Sequence, residues 1–195
     1  MASPHAAILL ASASPRRREL LEQIGVAFSL IEVEVDERRQ PGEAPEAMVQ
    51  RLALAKARAG RSAAAADARP VLGADTVVVV DDAALGKPRD EAHALAMLAR
   101  LSGRWHEVLS AVALAWPGGE EVRLSRTAVR FREISETEAR AYWASGEPRD
   151  KAGAYAIQGR GAVFVAEIRG SYSGVMGRPL FETAGLLAAR GVRIL

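Results

Sequence analysis

Val71-Leu72-Gly73-Ala74-Asp75-Thr76-Val77-Val78-Val79-Val80 decides the fold. Valine on consecutive positions, without polar residues alternating between them, implies a strand buried on both faces. Asp75 and Thr76 interrupt that apolar run. A carboxylate in such surroundings is costly unless it is paired, metal-bound or at an open strand edge.

Downstream, Asp81-Asp82 turns the chain toward Leu85-Gly86-Lys87-Pro88. Asp90 to Leu101 places Leu95, Leu98 and Leu101 at helical spacing, and Gly103 closes that helix. Glu107 to Ala115 and Val122 to Phe131 read as two strands joined in a hairpin through Pro117-Gly118-Gly119. Ser135 to Ser145 is a helix with Ser135 and Glu138 as a capping box, Gly161 to Ile168 a further strand, and Leu180 to Ala189 a closing helix. Upstream, Glu46 to Ala66 is rich in alanine, leucine and arginine and reads as a long helix. A loop, Gln40-Pro41-Gly42-Glu43-Ala44-Pro45, separates it from a strand expected over Phe28 to Val35. Ile8 to Ala11 is a short buried strand, followed by a helix with Ser14 as N-cap, Pro15 at its first position and Gly25 as its stop. An antiparallel hairpin set between helices indicates a mixed α/β fold rather than a regular doubly wound sheet. Residues 1–195 read as a single domain, because no repeat or linker divides them.

Composition excludes several functions. The chain has no cysteine, which removes disulfides, thiolate catalysis and cysteine-bound zinc, and fits a reducing, cytoplasmic compartment. A net charge of +2 with 5% aromatic residues does not describe a general nucleic-acid surface. Ala6 to Ala13 has the apolar core of a secretory signal, yet only His5 precedes it and the arginines follow, so no signal is expected and no membrane partner. No P-loop pattern is present, and His5, His93 and His106 lack a metal-binding spacing.

Three stretches combine small residues, turns and isolated charges beyond the needs of packing. Ser12-Ala13-Ser14-Pro15-Arg16-Arg17-Arg18 joins a buried strand to a helix N-terminus, where free N–H groups and arginines attract phosphate; a capped helix with a solvated arginine face reads equally well. Asp75-Thr76 is the second, with neutralisation of Asp75 by a lysine or arginine as its plain alternative. Asp150 to Gly161 is the third, its glycines allowing close approach of a ligand or simply forming a loop.

These residues fall into six ordered motifs that resemble the Maf proteins, a family of nucleotide pyrophosphatases. They are Leu10-Ala11-Ser12-Ala13-Ser14-Pro15-Arg16-Arg17, Val35-Asp36-Glu37, Ala53-Leu54-Ala55-Lys56-Ala57, Gly73-Ala74-Asp75-Thr76-Val77, Gly86-Lys87-Pro88 and Asp150 to Gly159. The resemblance implies an elongated, bent mixed sheet flanked by helices, with a cleft between two lobes, as in Maf/Ham1-type pyrophosphatases. It implies hydrolysis of nucleoside triphosphates with a divalent cation, Mg²⁺ or Mn²⁺, and a homodimer. By it Asp75 is the general base, Ser12, Arg16, Lys56 and Lys87 bind phosphate, Glu37 and Asp75 hold the metal, and Arg17, Thr76 and Gln158 set specificity. Gln158 resembles the branch acting on dTTP and UTP, since an amide offers the acceptor and donor that match N3–H and O4 of uracil or thymine. A glutamate near this position typifies the branch acting on 7-methyl-GTP, which remains an alternative, as does a cell-division regulator acting by binding. Gly174 and Arg178 depart from the family's pattern, where asparagine and an apolar residue are expected.

Overall fold

The computed structural model describes residues 6–194; His5 lies outside them. The first half of the chain runs β1 (Ile8–Leu10), α1 (Pro15–Gln23), β2 (Phe28–Leu30), α2 (Pro45–Ala63), β3 (Val71–Val80), β4 (Ala83–Leu85) and α3 (Glu91–Leu101). The second half runs β5 (Trp105–Trp116), β6 (Gly119–Phe131), α4 (Glu136–Ala144), β7 (Val165–Arg169), α5 (Tyr172–Val175) and α6 (Leu180–Ala188), with short 3₁₀ turns between α4 and β7. One seven-stranded mixed sheet results, in the order β2-β1-β3-β5-β6-β7, with β4 on the edge of β3. Only the β1 pairings are parallel.

The valine run forms β3 over the residues the sequence indicates, and it is buried on both sides because helices cover both faces of the sheet. On one face Val77 and Val79, with Leu109, Ala111 and Ala113 of β5, pack against Val49, Leu52, Ala53 and Ala57 of α2. On the other, Leu72, Val112 and Leu114 meet Leu21 of α1 and Leu186 and Leu187 of α6. Val78 and Val108 meet Leu98 and Leu101 of α3 and Tyr142 of α4 on that same side. Each fully buried leucine stabilises the fold by about 1.5–3 kcal/mol relative to exposure.

Local chemistry sets the turns. Asp81 and Asp82 both have positive φ, 51° and 56°, the conformation of a tight hairpin turn, and they fold β4 back on β3. Trp116 pairs with Gly119, so Pro117-Gly118 alone makes the β5–β6 turn. Ser135 and Glu138 form the expected capping box at α4.

Three expectations need correction. The second strand ends at Leu30 rather than Val35, because β1 stops at Leu10 and offers no further ladder for residues 31–35 to join. Arg160–Phe164 is a 3₁₀ turn, and the last strand begins only at Val165; the N–H groups of Arg160 and Gly161 are taken by the Glu147 carboxylate at 2.9 and 3.1 Å. Ser14 stands at the N-cap of α1 but its side chain caps nothing, and its N–H donates instead to Ser12 Oγ at 3.2 Å. No helix among the described residues is long and apolar enough to cross a membrane.

Candidate active site

The site originates in a gap in the sheet. On one edge of β3, β1 pairs only with Val71 and Leu72, and β4 only with Val78 to Val80. Gly73 to Val77 therefore face an opening, and Asp75 and Thr76, whose side chains leave on opposite faces, both border it. A cleft of about 870 Å³ fills this opening, within the size range of small-molecule sites. Ser12, Arg16, Arg17, Glu37, Lys56, Asp75, Thr76, Lys87 and Gln158 all line it, although 146 positions separate the first from the last.

Gly73 brings the charged centre together. A Cβ at this residue would lie 2.5 Å from Ala53 O and 2.7 Å from Ala57 N, so only glycine allows the α2 backbone to lie this close to β3. Lys56, one turn along α2, is thereby held over Asp75. Its Nζ donates to Asp75 Oδ1 at 2.7 Å and pairs with Glu37 Oε1 at 2.6 Å. Asp75 is 9% exposed, so the buried carboxylate is compensated by lysine, the plain alternative the sequence allowed. Burial raises the Glu37 carboxyl, but the hydrogen bond and charge of Lys56, with Lys87 and Arg17, outweigh it and hold the group below its ordinary range.

Arg17 serves the open edge. Its Nη1 donates to Ala74 O at 2.8 Å, satisfying a carbonyl that no strand pairs on this side, and its Nε donates to Gly177 O at 2.8 Å. Nη2 reaches Thr76 Oγ1 at 3.4 Å. Burial lowers the Arg17 pKa, Asp75 opposes that, and Arg16 adds to it. Arg16 stands 3.7 Å from Asp150 across the mouth of the cleft.

The third stretch follows the plainer of its two readings, a loop. Its glycines make room for protein side chains: a Cβ at Gly153 would meet Val78 at 2.8 Å, one at Gly159 would meet Glu147 at 2.3 Å, and one at Gly161 would meet Tyr142 Oη at 2.7 Å. Tyr142 donates to Glu147 at 2.6 Å and accepts from Ala156 N at 3.0 Å. Together these two side chains clamp both ends of the loop that carries exposed Gln158 into the cleft.

The two departures support the specificity residues rather than standing apart. Arg178 is fully buried and its Nε donates to Arg17 O at 3.1 Å, while burial pushes its pKa down to about 9. Gly174 O accepts from Ser110 Oγ, which in turn hydrogen-bonds Thr76. The sequence reading did not single out Lys151, which lines the cleft and pairs with Asp150, or Ser110. Ser110 could have been found by the test applied to Asp75, being a polar residue inside the apolar run Val108-Leu109-Ser110-Ala111-Val112.

Cations from α1, α2 and two loops face two carboxylates across a cleft at the open edge of a mixed sheet, which defines a class of α/β protein built to hold a small polyanion. The chain belongs to the Maf family: the Maf-like protein family model matches residues 7–190. A dTTP/UTP pyrophosphatase of Saccharophagus degradans is 56% identical over 184 residues, 93% of this chain and 88% of that one. A dTTP/UTP pyrophosphatase of Alkalilimnicola ehrlichii is 56% identical over 188 residues, 94% of this chain and 92% of that one. The solved Ham1 protein of Staphylococcus aureus is similar at 17% identity and a TM-score of 0.42, covering 66% of this chain and 72% of that one.

Proposed function

We propose that this chain hydrolyses dTTP and UTP between the α and β phosphates, adding water and releasing the nucleoside monophosphate and pyrophosphate. The observation that carries the reading is Lys56 held between Glu37 and Asp75 in a cleft that also presents Arg16, Lys87 and Gln158. Support comes from the names of the relatives at 52–56% identity.

A triphosphate brings about four negative charges, and catalysis requires their neutralisation before an oxygen nucleophile can approach phosphorus. Arg16, Lys56 and Lys87, with the N-terminus of α1 beside Ser12, supply positive potential for this. Glu37 and Asp75 fit a hard divalent cation, Mg²⁺ or Mn²⁺, which takes one or two carboxylates and completes its shell with phosphate oxygens and water. Among the described residues no group of three or more His, Cys, Asp or Glu side chains is arranged to hold a metal ion, so Glu37 and Asp75 are the carboxylates this reading relies on. Such a cation supplies charge stabilisation and acidifies water. In this reading Asp75 accepts the proton of the attacking water, which its position at the open strand edge supports, and Lys56 balances the two carboxylates in the free chain. The absence of cysteine supports a cytoplasmic place alongside the nucleotide pools.

Pyrophosphate release from dTTP, UTP, CTP and 7-methyl-GTP with Mg²⁺ or Mn²⁺ tests the reading. The expected result is preference for dTTP and UTP and a loss of about 10²-fold or more in Asp75→Asn, the range for a positioned base. Release from none of the four overturns it in favour of a binding protein.

A further inference from the structure

A glutamine alone does not distinguish uracil from cytosine. Turning its amide by 180° exchanges acceptor and donor, so the same side chain that matches N3–H and O4 of uracil matches N3 and N4–H₂ of cytosine. Gln158 is exposed at the tip of its loop, where such a turn is free. Thr76, on the wall of the same cleft, is different.

The proton on the Thr76 hydroxyl has a fixed address. Ser110 Oγ lies 2.6 Å from Gly174 O, and a carbonyl only accepts, so the single Ser110 proton is spent there. Thr76 Oγ1 and Ser110 Oγ are also 2.6 Å apart. With Ser110 already committed as a donor, the proton between these two oxygens belongs to Thr76. Arg17 Nη2 donates to Thr76 Oγ1 from the other side at 3.4 Å. The chain of donation therefore runs from Arg17 through Thr76 and Ser110 to Gly174, and Ser110 is 1% exposed, which shields the chain from water. Thr76 has one lone pair left toward the cleft and no proton to offer there.

We infer that Ser110 is a positioning residue for pyrimidine selection: by taking the Thr76 proton, it makes Thr76 a permanent acceptor that shares the N3–H of uracil or thymine with the Gln158 amide oxygen and opposes the N3 lone pair of cytosine. The inference rests on the proposed pyrimidine substrate.

The test is kcat and KM for UTP and CTP on the full chain, in the wild type, Ser110→Ala, and the double variant Ser110→Ala with Thr76→Val. Ser110→Ala frees the Thr76 proton to be donated to cytosine N3. The ratio of kcat/KM for UTP over CTP is expected to fall about tenfold, one donor–acceptor mismatch converted to a match, chiefly through a lower KM for CTP. The double variant, lacking the hydroxyl, does not gain CTP. Ser110→Cys, which keeps the volume with a weak donor, shows a smaller fall and replaces Ser110→Ala should that variant unfold. Both nucleotides slowed in proportion, with the ratio unchanged, would mean that Ser110 only packs and overturns the inference alone. A wild type inactive on UTP overturns the pyrimidine reading as well.

Discussion

Replacing Gly73 by alanine probes whether backbone proximity assembles the charged centre. The added methyl would sit 2.5 Å from the carbonyl oxygen of Ala53 and 2.7 Å from the amide nitrogen of Ala57, both main-chain atoms in the middle of a 19-residue helix. Neither can rotate away as a side chain would. Relief to an ordinary contact of about 3.5 Å requires α2 to retreat from β3 by about 1 Å. Lys56 travels with the helix, and its 2.7 Å bond to Asp75 passes beyond hydrogen-bonding reach unless the lysine re-extends. Overpacking of this kind costs about 1–3 kcal/mol. For a chain of this length that lowers Tm by roughly 4–8 °C at the middle of the range. A displacement of about 1 Å in a catalytic group is worth on the order of 10² in rate. Thermal unfolding and pyrophosphate release from UTP measure the two effects on one sample. Gly73→Ala with unaltered Tm and kcat would show that α2 approaches β3 for reasons other than this glycine, and the account of how Lys56 reaches Asp75 would fall.

Gln158→Glu replaces a donor–acceptor pair with acceptors only and is expected to weaken dTTP and UTP hydrolysis; equal relative rates across the nucleotide panel would remove Gln158 from base recognition. His106 gives a pH dependence with a definite sign. Its ring is 3% exposed, packs edge-on to Phe131, and contacts Tyr155 Oη at 2.9 Å, and burial pushes its pKa down to about 4. The unfolded chain binds a proton below about pH 6.5 and the folded chain does not, so stability is intact above 6.5, falls by about 2 kcal/mol by pH 5, and by about 3 kcal/mol once pH passes below 4. Urea unfolding across pH 7 to 4 should be steeper for the wild type than for His106→Asn; equal slopes would refute the assignment.

The valine run, the β5–β6 hairpin and the capping box were legible because each depends on neighbours in sequence: burial on both faces, a proline-glycine turn, a serine three residues before a glutamate. The candidate residues Ser12, Arg16, Arg17, Glu37, Lys56, Asp75, Thr76, Lys87 and Gln158 were also nameable, since the ordered motifs that resemble the Maf family contain them. Glu37 illustrates the boundary. Its motif was recognisable, but the strand expected to run up to Val35, just before it, ends at Leu30, because strand length is limited by the partner β1, which no local pattern around Phe28 records.

By itself, therefore, the sequence determined the element types and the mixed α/β class, which are properties of local periodicity and side-chain chemistry, and its resemblance to the Maf motifs supplied the rest of the candidate residues. The tertiary structure alone decided that β1 and β4 leave a gap along β3, that Gly73 lets α2 close on it, and that Ser110 commits the Thr76 proton. Most of those facts join segments distant in sequence, such as Ser110 and Gly174, 64 residues apart, and only the packed sheet fixes them.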